Sequence, residues 1–359
     1  MMKTSTPPRS GGGNVVASSN PGNTSSSTFK LFLLIMMAVQ NTSVVLVGRY
    51  TQAGVAPEDK YVVNHLIFIT ELTKFLLACA LEFHATAGHL LTSLQTHVFQ
   101  KPLDALKILV PALLYVLQNS LLYVAFANLT APIFQVTYQG KLVTTAIVSV
   151  IMLQRKYNKQ QWICLVALSL GVATCVLGEK KDDPSQAQAK DTNLFVGLTA
   201  VTIACLCSAL AGVYFEKVLK KTTKDATKGP PASLWMRNIQ MAFFSFCIAA
   251  IQGMMQPASD KPYLHGFHGW VWILVGLQAG GGLLVAAVIK YADNVLKGLA
   301  TGVSVVSSSI SSMLLFGTPL SGQFWGGAVV ILSSVYYFSN PLPAALTKRS
   351  GEQEGLLPK

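Results

Sequence analysis

Long apolar runs separated by short polar breaks set the elements of this chain. A hydrocarbon layer about 30 Å thick is crossed by roughly 20 helical residues. Ten runs approach that length, at about 31–48, 61–83, 108–127, 131–153, 161–178, 193–219, 233–255, 270–289, 296–316 and 321–339. Polar backbone groups in lipid must be satisfied internally, so these runs predict helices. The expectation is an all-α polytopic membrane protein with ten transmembrane helices. Among the short runs, 161–178 and 321–339 have the loosest boundaries.

The polar stretches divide the chain further. Residues 1–28 are rich in Ser, Thr, Gly, Pro and Asn and read as a disordered tail. They lack the short apolar core and small-residue cleavage site of a removable signal peptide. The expected order is this tail, a five-helix unit over 29–178, a polar linker over 179–192, a second five-helix unit over 193–340, and a tail over 341–359.

Composition agrees: 51% of the 359 residues are hydrophobic and 12% charged. The net charge of +12 could suggest nucleic acid, but its distribution gives it another meaning. With ten spans both termini share one side. Of the 27 basic residues, 17 then fall on the terminal side, 6 on the other, and 4 (Lys74, Lys141, Lys290, Lys297) within or beside the spans. The positive-inside rule places both termini in the cytosol. All six cysteines lie within the apolar runs, as buried thiols rather than disulfides or metal ligands. His265 and His268 share a short loop with no partnering ligand pattern. No cofactor is called for.

The two halves resemble one another weakly. "SLLYVAFANL" begins its Leu pair at Leu121 and "GLLVAAVIKY" at Leu283, 162 positions on. "QQW" ends at Trp162 and "QFW" at Trp325, 163 positions on. A duplicated unit of five helices must enter the membrane inverted the second time. Inverted repeats place a substrate site near the midplane between the halves, the architecture of a carrier.

Charged residues inside the runs are the candidate chemistry. Lys141 stands about 15–18 Å from either end of its run at 1.5 Å per residue. Its stem reaches roughly 6 Å, too short to snorkel to the headgroups. Inserting it costs on the order of 2.5–3.5 kcal/mol, so it must face a partner or a wet cavity. Glu71 is one candidate partner, yet Lys74 lies three residues beyond it on the same helical face. If Lys74 neutralises Glu71, Lys141 is left for a ligand. Lys290 closes an apolar run, with Asp293 near enough to pair with it. "GGGLL" (Gly280–Leu284) on the same run permits close approach of a ligand or another helix. Tyr115, Gln118 and Asn119 lie within one helical turn, Tyr138 precedes Lys141 by three, and Tyr214 closes the sixth run. Rings that stack a base, amides that read its edge and ammonium groups that neutralise phosphate suit a phosphorylated planar ligand. Packing and interface anchoring are the competing reading of each tyrosine taken singly.

At "FQVTYQGKL", "GVYFEKVLK", "WMRNIQ" and "GGLLVAAVIKYADNVLKG" the sequence resembles Golgi nucleotide-sugar transporters. The branch in question carries CMP-sialic acid, UDP-galactose and UDP-N-acetylglucosamine, within the drug/metabolite transporter superfamily. The resemblance runs from about Phe29 to Phe338. It implies two inverted five-helix repeats around a central cavity, in a multi-pass Golgi membrane protein. It also implies exchange of a cytosolic nucleotide sugar for a lumenal nucleoside monophosphate. Phosphate-contacting lysines would fall on Lys141 and Lys290, and nucleoside contacts on Tyr115 and Asn119. Tyr138 and Tyr214 would line the same cavity, and Gly281 and Gly282 would let the ligand approach. Gly140, Phe134 and Ser120 depart from the family's usual residues. "LQAGGG" and "VQN" look more like the UDP-sugar members, which favours UDP-N-acetylglucosamine or UDP-galactose, with UMP returning; CMP-sialic acid is the alternative.

Two rival classes fit less well. An exporter of amphipathic amines would need an unpaired carboxylate at depth, and Glu71 has Lys74 beside it. A membrane glycosyltransferase would need a loop Asp-x-Asp, and "KDDP" (Lys181–Pro184) reads as a solvated patch. "EQEGLL" (Glu352–Leu357) fits a sorting pattern, and "NTS" at Asn23 and "NLT" at Asn128 are glycosylation sequons. The predicted partners are thus the lipid bilayer, a nucleotide sugar and a nucleoside monophosphate, with no nucleic acid. A homodimer stays open.

Overall fold

A computed structural model describes residues 21–52, 55–56, 59–178, 193–221, 232–255 and 262–340. The linker 179–192 with its acidic patch, the "EQEGLL" tail and the Asn23 side chain lie outside these residues. The described chain is helical: α1 (Pro21–Tyr50), α2 (Val63–Ala85), α3 (Leu90–Leu94), a π-helical turn (Gln95–Phe99), α4 (Pro102–Leu106), α5 (Leu109–Asn128), α6 (Ala131–Tyr138), α7 (Gly140–Leu153), α8 (Lys159–Gly178), α9 (Leu194–Lys221), α10 (Leu234–Met255), α11 (Gly269–Tyr291), α12 (Asn294–Phe316) and α13 (Gly322–Ser339).

Each apolar run falls on a helix, except 131–153, which falls on two. That run breaks at Gln139, before Gly140, a residue with low helix propensity. Eight helical stretches among the described residues, not ten, are long and apolar enough to cross a membrane. Val63–Ala85 and Gly322–Ser339 are not among them. The first carries Glu71, Lys74 and Glu82; the second has only 18 residues and is diluted by Gly, Ser and Tyr.

Local signals fix the helix ends. Asp293 Oδ1 accepts from Leu296 N at 2.7 Å and opens α12, which Gly317 closes in a left-handed conformation. Ser321 Oγ caps α13 in the same way. Asn128 ends α5 and accepts from Asn193 N at 3.2 Å, joining it to the start of α9.

The helices then pair: α8 with α13, α5 with α9, α2 with α10, α1 with α11 and α12, and α7 with α9. Water does not drive helices together inside lipid, so small residues and polar ties decide these contacts. A Cβ on Gly171 of α8 would lie 3.2 Å from Gly327 O of α13, which shows how closely the two backbones cross. At one end of the bundle Arg49 of α1 donates to Ser312 Oγ and, at 2.7 Å, to Thr318 Oγ1. Its guanidinium also sits 4.9 Å from the Phe316 ring centroid.

A polar cavity between five helices

Helices α2, α5, α9, α10 and α11 line an open cavity of about 340 Å³. Its apolar wall includes Ile67, Val116, Phe215, Met241, Ile248, Val285 and Ile289. Set into that wall are Glu71 and Lys74 of α2, Tyr115 and Asn119 of α5, and Asn238 and Ser245 of α10. Tyr115 and Asn119 are four residues apart and therefore share one face of α5. Glu71 and Lys74 form an ion pair at 2.5 Å, with side chains only 19% and 16% exposed. The cavity thus offers a ring, two amides, a hydroxyl and a neutralised acid–base pair, a mixture suited to a polar ligand with a planar part.

The glycines of α11 do not act together. A Cβ at Gly281 would overlap the Gln40 amide of α1, which donates to Leu277 O at 3.1 Å. Gly281 therefore serves a tie between helices. Gly282 lines the cavity, and a Cβ there would lie 2.7 Å from Lys74 Cδ. Successive residues of a helix point about 100° apart, so neighbouring glycines meet different partners.

The remaining expected residues lie outside the lining. Lys141 Nζ lies 3.3 Å from the Tyr138 hydroxyl and 5.3 Å from the Tyr138 ring centroid. Tyr138 stacks on Phe134 at 5.5 Å, and Phe134 meets Phe126 at 4.1 Å, so these rings form a column beside the α6–α7 break. Lys290 Nζ stands 5.5 Å from the Tyr291 ring centroid, one residue beyond the lining Ile289. Tyr214 neighbours the lining Phe215 and is half-buried. Gln118 is 7% exposed, and its Oε1 has no hydrogen-bond partner among the described residues.

The Glu71–Lys74 pairing follows the three-residue spacing, whereas the possible Asp293–Lys290 pair does not form. Glu71 takes Lys74 and leaves Lys141 without a carboxylate among the described residues. Asp293 pairs with Arg155 at 2.9 Å rather than with Lys290, because capping α12 turns its carboxylate toward the α7–α8 loop. Arg155 also binds Glu216 of α9, which is fully buried. Lys220 donates to Glu216 at 2.6 Å and to Ala292 O at 2.7 Å, and Asn294 N donates to the second Glu216 oxygen at 3.1 Å. Burial opposes the Arg155 charge, yet Asp293, Tyr157 and Glu216 together raise its pKa above the usual guanidinium value. This cluster ties α9 to the α7–α8 loop and the α11–α12 turn.

Asn238 and Ser245 were missed as site residues. The available signal was an amide and a hydroxyl on a largely apolar helix that also carries Arg237 and Gln240, a setting that marks function or internal pairing.

A family model described as nucleotide-sugar transporter matches residues 25–339. The chain is 39% identical over 325 residues to a Caenorhabditis elegans UDP-N-acetylglucosamine/UDP-N-acetylgalactosamine transporter, covering 87% of this chain and 93% of that protein. It is 39% identical over 329 residues to the UDP-galactose translocator of Mus musculus, covering 90% and 81%. It is likewise 39% identical over 322 residues to the UDP-N-acetylglucosamine transporter of Homo sapiens, covering 86% and 95%. A solved crystal structure at 12% identity superposes with a TM-score of 0.60 over 88% of this chain and 96% of its own, a likeness of fold alone.

Proposed function

The chain belongs to the nucleotide-sugar transporter family, and we propose that it exchanges a cytosolic UDP-sugar for lumenal UMP across the Golgi membrane by alternating access. UDP-N-acetylglucosamine and UDP-galactose are the favoured substrates. The family is one of transporters and not of enzymes. The cavity walled by Tyr115, Asn119, Asn238 and the Glu71–Lys74 pair carries the reading. Its volume falls at the low end of the roughly 300–1,000 Å³ typical of small-molecule sites. The substrates of the relatives support a UDP-sugar over CMP-sialic acid.

The helix pairing supports two inverted repeats of five spans. Exchange α1 with α9, α2 with α10, α5 with α11, α6 and α7 with α12, and α8 with α13. The α8–α13 and α2–α10 contacts map onto themselves, α5–α9 maps onto α11–α1, and α7–α9 maps onto α12–α1. On this reading α2 and α13 also cross the membrane, screened by their neighbours, and both termini face the cytosol.

We assign the phosphate to Lys141 and Lys290, whose ammonium groups have no carboxylate partner among the described residues. Tyr115 and Asn119 hold the nucleoside, and Gly282 gives the close approach beside Lys74. Neither lysine lines the cavity as it stands, so the walls must close on the ligand. A UDP-sugar and UMP share nucleoside and phosphate, and one site therefore serves both directions. Unequal affinity for the ligand in the two states supplies the coupling. Counterflow in proteoliposomes with CMP-, UDP- and GDP-sugars tests the proposal. UDP-sugar uptake driven by internal UMP is expected; uptake that ignores internal nucleotide, or follows CMP, would overturn it.

A further inference from the structure

The chain between α2 and α5 makes an apolar surface that the transport reading does not use. It leaves α2 through a tight turn in which Ala87 and Gly88 both take positive φ, 49° and 94°. It then continues through α3, the π-helical turn and α4. One side of this segment is fastened to the bundle. Leu90, Leu94 and Val98 pack on Ala78, Met236 and Ile239. Ser93 donates to Glu82 at 2.6 Å, Gln240 Nε2 donates to His97 O at 3.1 Å, and Arg237 binds Asp104.

The other side faces outward. Leu91 is 81% exposed, Phe99 76%, Leu103 78% and Leu106 48%. They are spread over α3, the π-helical turn and α4, so each of these short elements turns a large apolar side chain outward. This surface continues into exposed Val110, Leu113 and Leu117 of α5, within the membrane-crossing stretch Pro102–Asn128. Leu81 and Phe83 in the last turns of α2 are exposed as well. An apolar surface continuous with lipid-facing spans has lipid as its natural occupant, and the Lys107–Asp104 ion pair at 2.9 Å, half-exposed at its margin, suits the polar headgroup layer.

We propose that Leu90–Leu106 lies in the headgroup–acyl boundary of the leaflet at that end of the bundle, with Leu91, Phe99 and Leu103 inserted among lipid chains. The segment is bonded to α2 and α10, two walls of the cavity, and so pins that corner of the site to the membrane surface. An interfacial helix inserts its apolar face about 5–10 Å into this boundary.

Depth-dependent quenching tests the assignment. Full-length Leu91→Cys and Phe99→Cys variants are labelled with an environment-sensitive fluorophore and reconstituted in phosphatidylcholine–phosphatidylserine vesicles. The identically treated parent protein serves as the blank for native thiols. Blue-shifted emission is expected, quenched about twofold more by a spin label near the glycerol end of the lipid chain than by one near the terminal methyl. Emission at the aqueous wavelength without lipid quenching would overturn the proposal. So would blue-shifted emission that no lipid label quenches, which means burial against the protein itself, or emission that changes on dilution, which means a second copy. Concordance of the two positions guards against a local effect of either substitution.

Discussion

Lys74 of α2 lays its stem across the bare Cα of Gly282 in α11, where a Cβ would stand 2.7 Å from Lys74 Cδ. The ammonium beyond that stem meets Glu71 at 2.5 Å on the wall of the cavity. A missing side chain on one helix thus positions a charge carried by another.

Gly282→Ala should therefore act on the site. The added methyl displaces Lys74, while alanine favours the helix by about 1 kcal/mol relative to glycine. We expect a several-fold rise in KM for UDP-sugar with little loss of thermal stability. Gly281→Ala should do the reverse, lowering Tm because its methyl would overlap the Gln40 amide. Transport kinetics and thermal unfolding of both variants separate the two roles.

Lys141→Ala should abolish UMP-driven exchange while the protein remains folded. Removing a deep ammonium without a carboxylate partner orphans no acid and removes an insertion cost of about 2.5–3.5 kcal/mol. Tm should stay level or rise. Normal counterflow by this variant would remove Lys141 from the mechanism.

On α5, Asn119→Ala should weaken nucleotide protection in a thermal-shift assay roughly tenfold, the loss expected when a polar contact worth about 1.4 kcal/mol disappears. Gln118→Ala is expected to leave that protection largely unchanged, since Gln118 lies outside the cavity lining. Equal effects at both positions would contradict the cavity geometry.

Glu216→Ala leaves the Arg155 and Lys220 charges without their shared carboxylate at a buried junction. Breaking a fully buried pair costs roughly 3–5 kcal/mol, and the loss here should fall toward the low end because Arg155 keeps Asp293 at 2.9 Å. A large fall in Tm is expected, and adding Arg155→Ala should cost less than the sum of the two single losses because the pair is coupled. Additive losses would show that the cluster does not act as a unit.

Much of the molecule was legible along the chain. Apolar runs placed the helices, a three-residue spacing joined Glu71 to Lys74, and a four-residue spacing set Tyr115 beside Asn119. The long motifs identified the family. These are local properties, fixed by helical period and by what a bilayer tolerates.

Tertiary structure decided the rest. It separated Gly281 from Gly282, gave Asp293 to Arg155 instead of Lys290, and placed Asn238 and Ser245 of α10 on a wall the sequence had left blank. It also turned the stretch between α2 and α5 into an exposed apolar surface. Helical period tells which residues share a face. The direction that face takes depends on the rotation and contacts of helices distant in sequence.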